Sequence, residues 1–112
     1  MFNGRIRLWI GIGSLSGGGA ERQCELLLSA IDPDRFVVRV GCVNVSLRDP
    51  LFPSHVTIRH YRRTRKIRWD VIWRGVIDDF KDFRPDIAHV WLPDVITIPS
   101  AVIAKKNMVP LV

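Results

Sequence analysis

Apolar positions along the chain follow two alternating rhythms. Residues 6–12, Ile-Arg-Leu-Trp-Ile-Gly-Ile, form a nearly continuous apolar run of strand length, the pattern of a strand covered on both faces. From Ala20, apolar residues recur at Cys24, Leu27, Leu28 and Ile31, which is one face of a helix. Asp32-Pro33 ends it, because proline disfavours helical backbone in the residue before it. Residues 36–45 are rich in valine and predict a second buried strand. Residues 47–54, with Pro50 and Pro53, predict a loop, and 56–59 a short strand. Helical spacing returns at Trp69, Ile72, Trp73, Val76, Ile77, Phe80 and Phe83, closed by Arg84-Pro85. Residues 87–92 predict a fourth strand and 96–106 a helix, whose regular part Pro99 places near Ser100. Residues 108–112 predict a last strand.

Strands that alternate with helices, and are themselves apolar throughout, predict an α/β domain with a mostly parallel sheet and flanking helices. Right-handed crossovers put the turn after the first strand at the carboxyl edge of the sheet, where ligands bind in open sheets. No repeat, low-complexity tract or linker interrupts residues 1–112. A final strand with no helix after it would expose part of an apolar sheet face, which is uncommon in a soluble monomer. The chain therefore reads as a partial domain, the first part of a larger protein.

Composition narrows the class. The 112 residues are 47% hydrophobic and 25% charged, a globular balance. A net charge of +6 with a pI near 10.2 favours acidic partners. Cys24 and Cys42 are too few for a disulfide scaffold or a zinc site, which points to thiols in a reducing, cytoplasmic setting. Arg5 and Arg7 precede only residues 8–12 of apolar run, less than the roughly 7–15 residues of a signal peptide core, and no later run approaches a membrane span.

The densest chemical signal is the junction Gly11-Ile-Gly-Ser-Leu-Ser-Gly-Gly-Gly-Ala-Glu-Arg-Gln23. Three successive glycines carry no Cβ, so main-chain N–H groups can approach a ligand closely. The same groups open a helix, where unpaired donors and the dipole favour an anion. Two known fingerprints fail here. A dinucleotide fingerprint needs a third glycine where Ser16 stands, and the acidic residue expected roughly 20 positions later is replaced by Val43-Asn44-Val45. A P-loop needs Gly-Lys-Ser/Thr, and no lysine lies in the segment. Glu21 in the first turn competes for the same donors. A tight turn without a ligand is the structural alternative.

Ser14-Leu-Ser-Gly-Gly-Gly-Ala-Glu-Arg-Gln23 resembles the N-terminal signature of glycosyltransferase family 4, whose members often read G-G-A-E-R at this junction. Arg84-Pro-Asp-Ile-Ala-His-Val-Trp-Leu-Pro93 is similar to that family's later strand, and Val109-Pro-Leu-Val112 to the strand after it. The resemblance spans nearly the whole chain. It implies a GT-B fold, two Rossmann-like domains across a cleft, of which this chain supplies most of the first. It implies retaining transfer of a sugar from a nucleotide-sugar donor to an acceptor, with no metal and no other cofactor. Gly17, Gly18 and Gly19 would face the donor diphosphate, Glu21 and Arg22 would orient the turn, and His89 would line the acceptor pocket. Where the family often has a second histidine two residues on, this chain has Trp91. Most donor contacts would come from a second, C-terminal domain, so the 112-residue chain alone should lack catalysis.

Other polar groups invite plainer readings. His89 could equally be hydrogen-bonded within its strand, and His55 and His60 have no partner at metal-ligand spacing. Asp78, Asp79 and Asp82 read as the solvated face of the long helix. The run Arg59-His-Tyr-Arg-Arg-Thr-Arg-Lys-Ile-Arg-Trp69 packs six cations into ten residues. It is either a solvated loop, with Trp69 and Trp73 buried on the apolar helix face, or a contact for a polyanion. Arg62, Arg63, Arg65, Lys66 and Arg68 would then meet anionic lipid at the inner face of a membrane, with Trp69 as an interfacial anchor. Nucleic acid is disfavoured as a partner, since no recognition module surrounds the run. A non-catalytic α/β binding module using this segment is thus the alternative to an enzyme.

Overall fold

The computed structural model describes residues 4–13, 19–43, 55–61, 68–91 and 96–112, with residues 19–21 described by their backbone alone. The elements run β1 (Ile6–Ile12), α1 (Gly19–Ala30), β2 (Phe36–Cys42), β3 (Val56–His60), α2 (Trp69–Phe83), β4 (Ile87–Val90) and α3 (Thr97–Lys106). The four strands form one parallel sheet in the order β3-β2-β1-β4. This is an α/β fold of the Rossmann-like kind, as the alternation predicts.

The order reverses at β1. From β1 the chain steps out to β2 and β3, then returns across the sheet to β4 on the other side of β1. Right-handed crossovers in opposite directions place their helices on opposite faces, and the two cores follow. On one face Cys24 and Leu28 of α1 cover Leu8, Ile10, Ile12, Val38, Val40 and Cys42. On the other, Ile72, Val76 and Phe80 of α2 and Ile103 and Ala104 of α3 cover Trp9, Tyr61 and Ala88. From Leu8 onward both faces of β1 are dry, which explains its apolar run.

Residues 110–112 begin a fifth position beside β4. Ala88 N–H donates to Pro110 O at 2.9 Å, Val112 N–H to Ala88 O at 2.9 Å and Val90 N–H to Val112 O at 3.0 Å, but only Leu111 forms a bridge with Ala88. Two helix expectations need correction. Helix α3 starts at Thr97 rather than near Ser100, because Pro99 lies in the first turn, where its missing N–H has no carbonyl to lose. Trp69 is 46% exposed and Trp73 half-buried, so the tryptophan that opens α2 does not join the core.

Candidate functional site

The carboxyl edge of the sheet is built by ladders that overrun the strands. Val43 N–H donates to Ile12 O at 3.2 Å and Tyr61 N–H to Cys42 O at 2.9 Å. The Cys42 thiol reaches Gly13 O at 3.9 Å. Beyond Gly13, residues 14–18 lead to the first turn of α1 at Gly19. Gly17 and Gly18 lie outside the described residues, and so does the side chain of Glu21. Arg22 is exposed on α1. The glycine junction thus leaves β1 where the strand order reverses, the crevice at which doubly wound sheets bind ligands.

On the same edge His89 stands in β4 in register with Ile10 of β1, two residues before Trp91. Their rings meet edge to face, centroids 4.7 Å apart at 80°, a favoured aromatic geometry. Both are half-buried on the face that α1 covers, and Trp91 packs against its core. Burial holds His89 below its ordinary value of 6.5. At neutral pH the ring is uncharged and offers one donor and one acceptor.

The opposite face holds a polar centre that sequence reasoning misread. Asp79 is not solvated; it is completely buried. Its Oδ2 accepts from Trp9 Nε1 at 3.3 Å and from the Tyr61 hydroxyl. Its Oδ1 lies 3.5 Å from Arg39 Nη1 and 3.6 Å from Arg59 Nε. Arg39 also binds Asp82 at 2.8 Å and covers the Phe83 ring, 5.0 Å from its centroid. Burial, then the Asp79 charge, pushes the Tyr61 hydroxyl far above its ordinary value, so it stays a donor. Asp78 and Asp82 are exposed, as expected.

Glycines make room for this centre. Gly11 and Gly41 face each other in register on β1 and β2. A Cβ on Gly11 would come within 2.7 Å of Trp9 Cη2, and one on Gly41 or on Gly75 of α2 would overlap the Tyr61 ring. Tyr61 is therefore wedged between sheet and helix. Next to it, a cavity of about 430 Å³ opens between the end of β3 and the first half of α2, lined by Arg59, Asp70, Arg74 and Asp78 among others.

The basic segment is only partly described. Arg62, Arg63, Arg65 and Lys66 lie outside the described residues, while Arg68 is exposed and binds Asp70 at 2.9 Å. The structure therefore gathers Arg59 and Arg68 at the carboxyl edge near the start of α2, and His89 near the end of β1. Among the described residues no cluster of His, Cys, Asp and Glu could hold a metal ion, and no helix is long and apolar enough to cross a membrane. Asp79 had one legible sign: it follows Ile72 by seven residues and Val76 by three, on the buried stripe of α2. Compared with known proteins, the chain matches no family model and no curated protein.

Proposed function

We propose that the chain is the acceptor-side Rossmann-like portion of a retaining glycosyltransferase, which moves a sugar from a nucleotide-sugar donor to an acceptor. One observation carries the reading: the glycine-rich junction leaves β1 at the reversal of strand order and enters α1 at Gly19. Main-chain N–H groups near Gly17, Gly18 and Gly19, at the positive end of α1, suit a diphosphate leaving group. Donors fixed before the reaction offset the charge that develops as the glycosidic bond breaks. Uncharged His89 is suited to orient an acceptor hydroxyl, and the half-buried Trp91 offers an apolar face to a sugar ring. The remaining donor contacts belong to a second domain.

Two experiments test this. In the protein made from its whole reading frame, Gly18→Val is expected to cut sugar transfer by about 100-fold or more, the size of effect seen when an oxyanion donor is lost. Unchanged turnover would sink the assignment. The 112-residue chain by itself is expected to transfer no sugar, and measurable transfer by the purified chain contradicts the two-domain reading.

A second reading has its own observation. Trp69 is 46% exposed at the head of α2, directly after the basic segment and beside exposed Val71. Cations flanking an exposed tryptophan suit an anionic membrane surface, in which each basic residue contributes about 1 kcal/mol. Reversing Arg62, Arg63 and Arg65 to glutamate should then lower partition onto anionic vesicles by at least about 100-fold. Partition that does not change removes this reading.

A further inference from the structure

The cavity between β3 and α2 is used by neither reading. Arg59 enters it from the strand and Arg74 from the helix. Arg59 is anchored: its Nε lies 3.6 Å from Oδ1 of buried Asp79, while the side chain remains 49% exposed. That contact engages Nε, and the half-exposed side chain lines the cavity. Arg74 is one helical turn from both Asp70 and Asp78, the spacing of helix ion pairs. Among the described residues it pairs with neither; Asp70 binds Arg68 at 2.9 Å instead.

The rest of the lining adds to the case. Tyr61 also lines the cavity, its hydroxyl committed to Asp79. Asp70 and Val71 stand in the first turn of α2, which has no side-chain cap. Main-chain N–H groups there lack carbonyl partners within the helix, and the helix dipole favours negative charge. A ligand entering the cavity thus meets a held guanidinium, an uncommitted guanidinium and a positive helix end. Two carboxylates in the lining oppose it: Asp70, held by Arg68 at 2.9 Å, and Asp78, which pairs with no other described residue.

We propose that this cavity receives a phosphate monoester, gripped between the guanidinium groups of Arg59 and Arg74. Guanidinium forks match phosphate oxygens in pairs of parallel hydrogen bonds, and a 430 Å³ space admits the phosphate with a small group attached. The phosphate could belong to a soluble metabolite or to a lipid headgroup; the chemistry of recognition is the same. The proposal does not rest on glycosyl transfer, because the site lies at the outer strand β3, away from the strand-order reversal at β1.

The test titrates the chain with glycerol phosphate while following the backbone signals of Val71, Arg74 and Gly75 by NMR. A parallel arm measures co-sedimentation with vesicles containing phosphatidic acid. Saturable shifts at those three residues are expected, and Arg74→Gln should weaken binding by about 10-fold, as for loss of a charge-assisted bond. Asp78→Asn should tighten it by about 2-fold or more, because a like charge is removed. Both residues are exposed, so these variants keep the fold. Binding of free glycerol phosphate assigns a soluble ligand, and vesicle binding alone that is lost in Arg74→Gln assigns a lipid headgroup. Equal shifts with glycerol, weaker binding in Asp78→Asn, or no saturable response in either arm overturns the proposal.

Discussion

A carboxylate without exposed surface is stable only when its oxygens are matched, and Asp79 has Trp9, Tyr61, Arg39 and Arg59 around it. Removing it strands two buried donors, Trp9 and Tyr61, and takes one ion-pair partner from each of Arg39 and Arg59. Asp79→Ala should therefore cost about 3–5 kcal/mol of stability, and Tyr61→Phe about 1–3 kcal/mol, both read from urea unfolding. A loss below about 1 kcal/mol for Asp79→Ala would show that water already serves the carboxylate. Gly75→Ala should destabilise by about 1–3 kcal/mol despite alanine's better helix propensity, because its Cβ overlaps the Tyr61 ring. None of these partnerships is local in sequence: Trp9 and Asp79 are separated by 70 positions. Hydrophobic periodicity scores an aspartate as outward and a tryptophan as inward, so it misplaced both Asp79 and Trp69.

At the level of elements, periodicity served well wherever one face was apolar. Helix α2 spans Trp69–Phe83 and β1 spans Ile6–Ile12, as the pattern predicts. Ends were harder, because caps depend on backbone geometry rather than on hydrophobicity. Helix α2 ends with Arg84 in the left-handed region, φ 51° and ψ 65°, its N–H donating to Phe80 O at 3.1 Å. That conformation is a glycine's place. Arg84→Gly should thus raise stability by about 0.5 kcal/mol, the relief of left-handed strain less the entropy gained by the unfolded chain. A lower urea midpoint in that variant would mean the arginine side chain contributes more than its backbone costs. Helix α3 is apolar on its outer side too, with Ile98 and Val102 exposed, so one-face periodicity could define its existence but not its orientation.

For the whole molecule, acid acts through two groups in the same direction. Burial depresses His89, so protonation favours the unfolded chain; stability falls as pH drops below its unfolded value of 6.5 and continues to fall until the folded value is passed. Asp82 is depressed by the hydrogen bond and then by the charge of Arg39, so its contribution is present above its unfolded value of 3.8 and lost as pH falls through the lower folded value. A pH series of urea midpoints should decline in two stages on acidification, and His89→Gln should remove the first. If the wild-type midpoint is flat between pH 7 and 5, His89 does not titrate with folding. The mostly parallel sheet, with the glycine junction at the carboxyl edge of β1, was legible because strand–helix alternation and crossover handedness leave few arrangements; the order of the strands was not. The cavity beside β3 was not, since Arg59 and Arg74 converge only after α2 packs back across the sheet.

The paired glycines of β1 and β2 have an evolutionary corollary. Gly11 and Gly41 leave a bare lane across two neighbouring strands, filled by the Trp9 ring at Gly11 and by Tyr61, the casting that fits the mould, at Gly41. Neither partner can drift alone: a bulkier residue at position 41 demands a smaller one at 61, and with it a new guest for the aspartate beneath. Related chains should therefore change these positions together, as a block, or not at all.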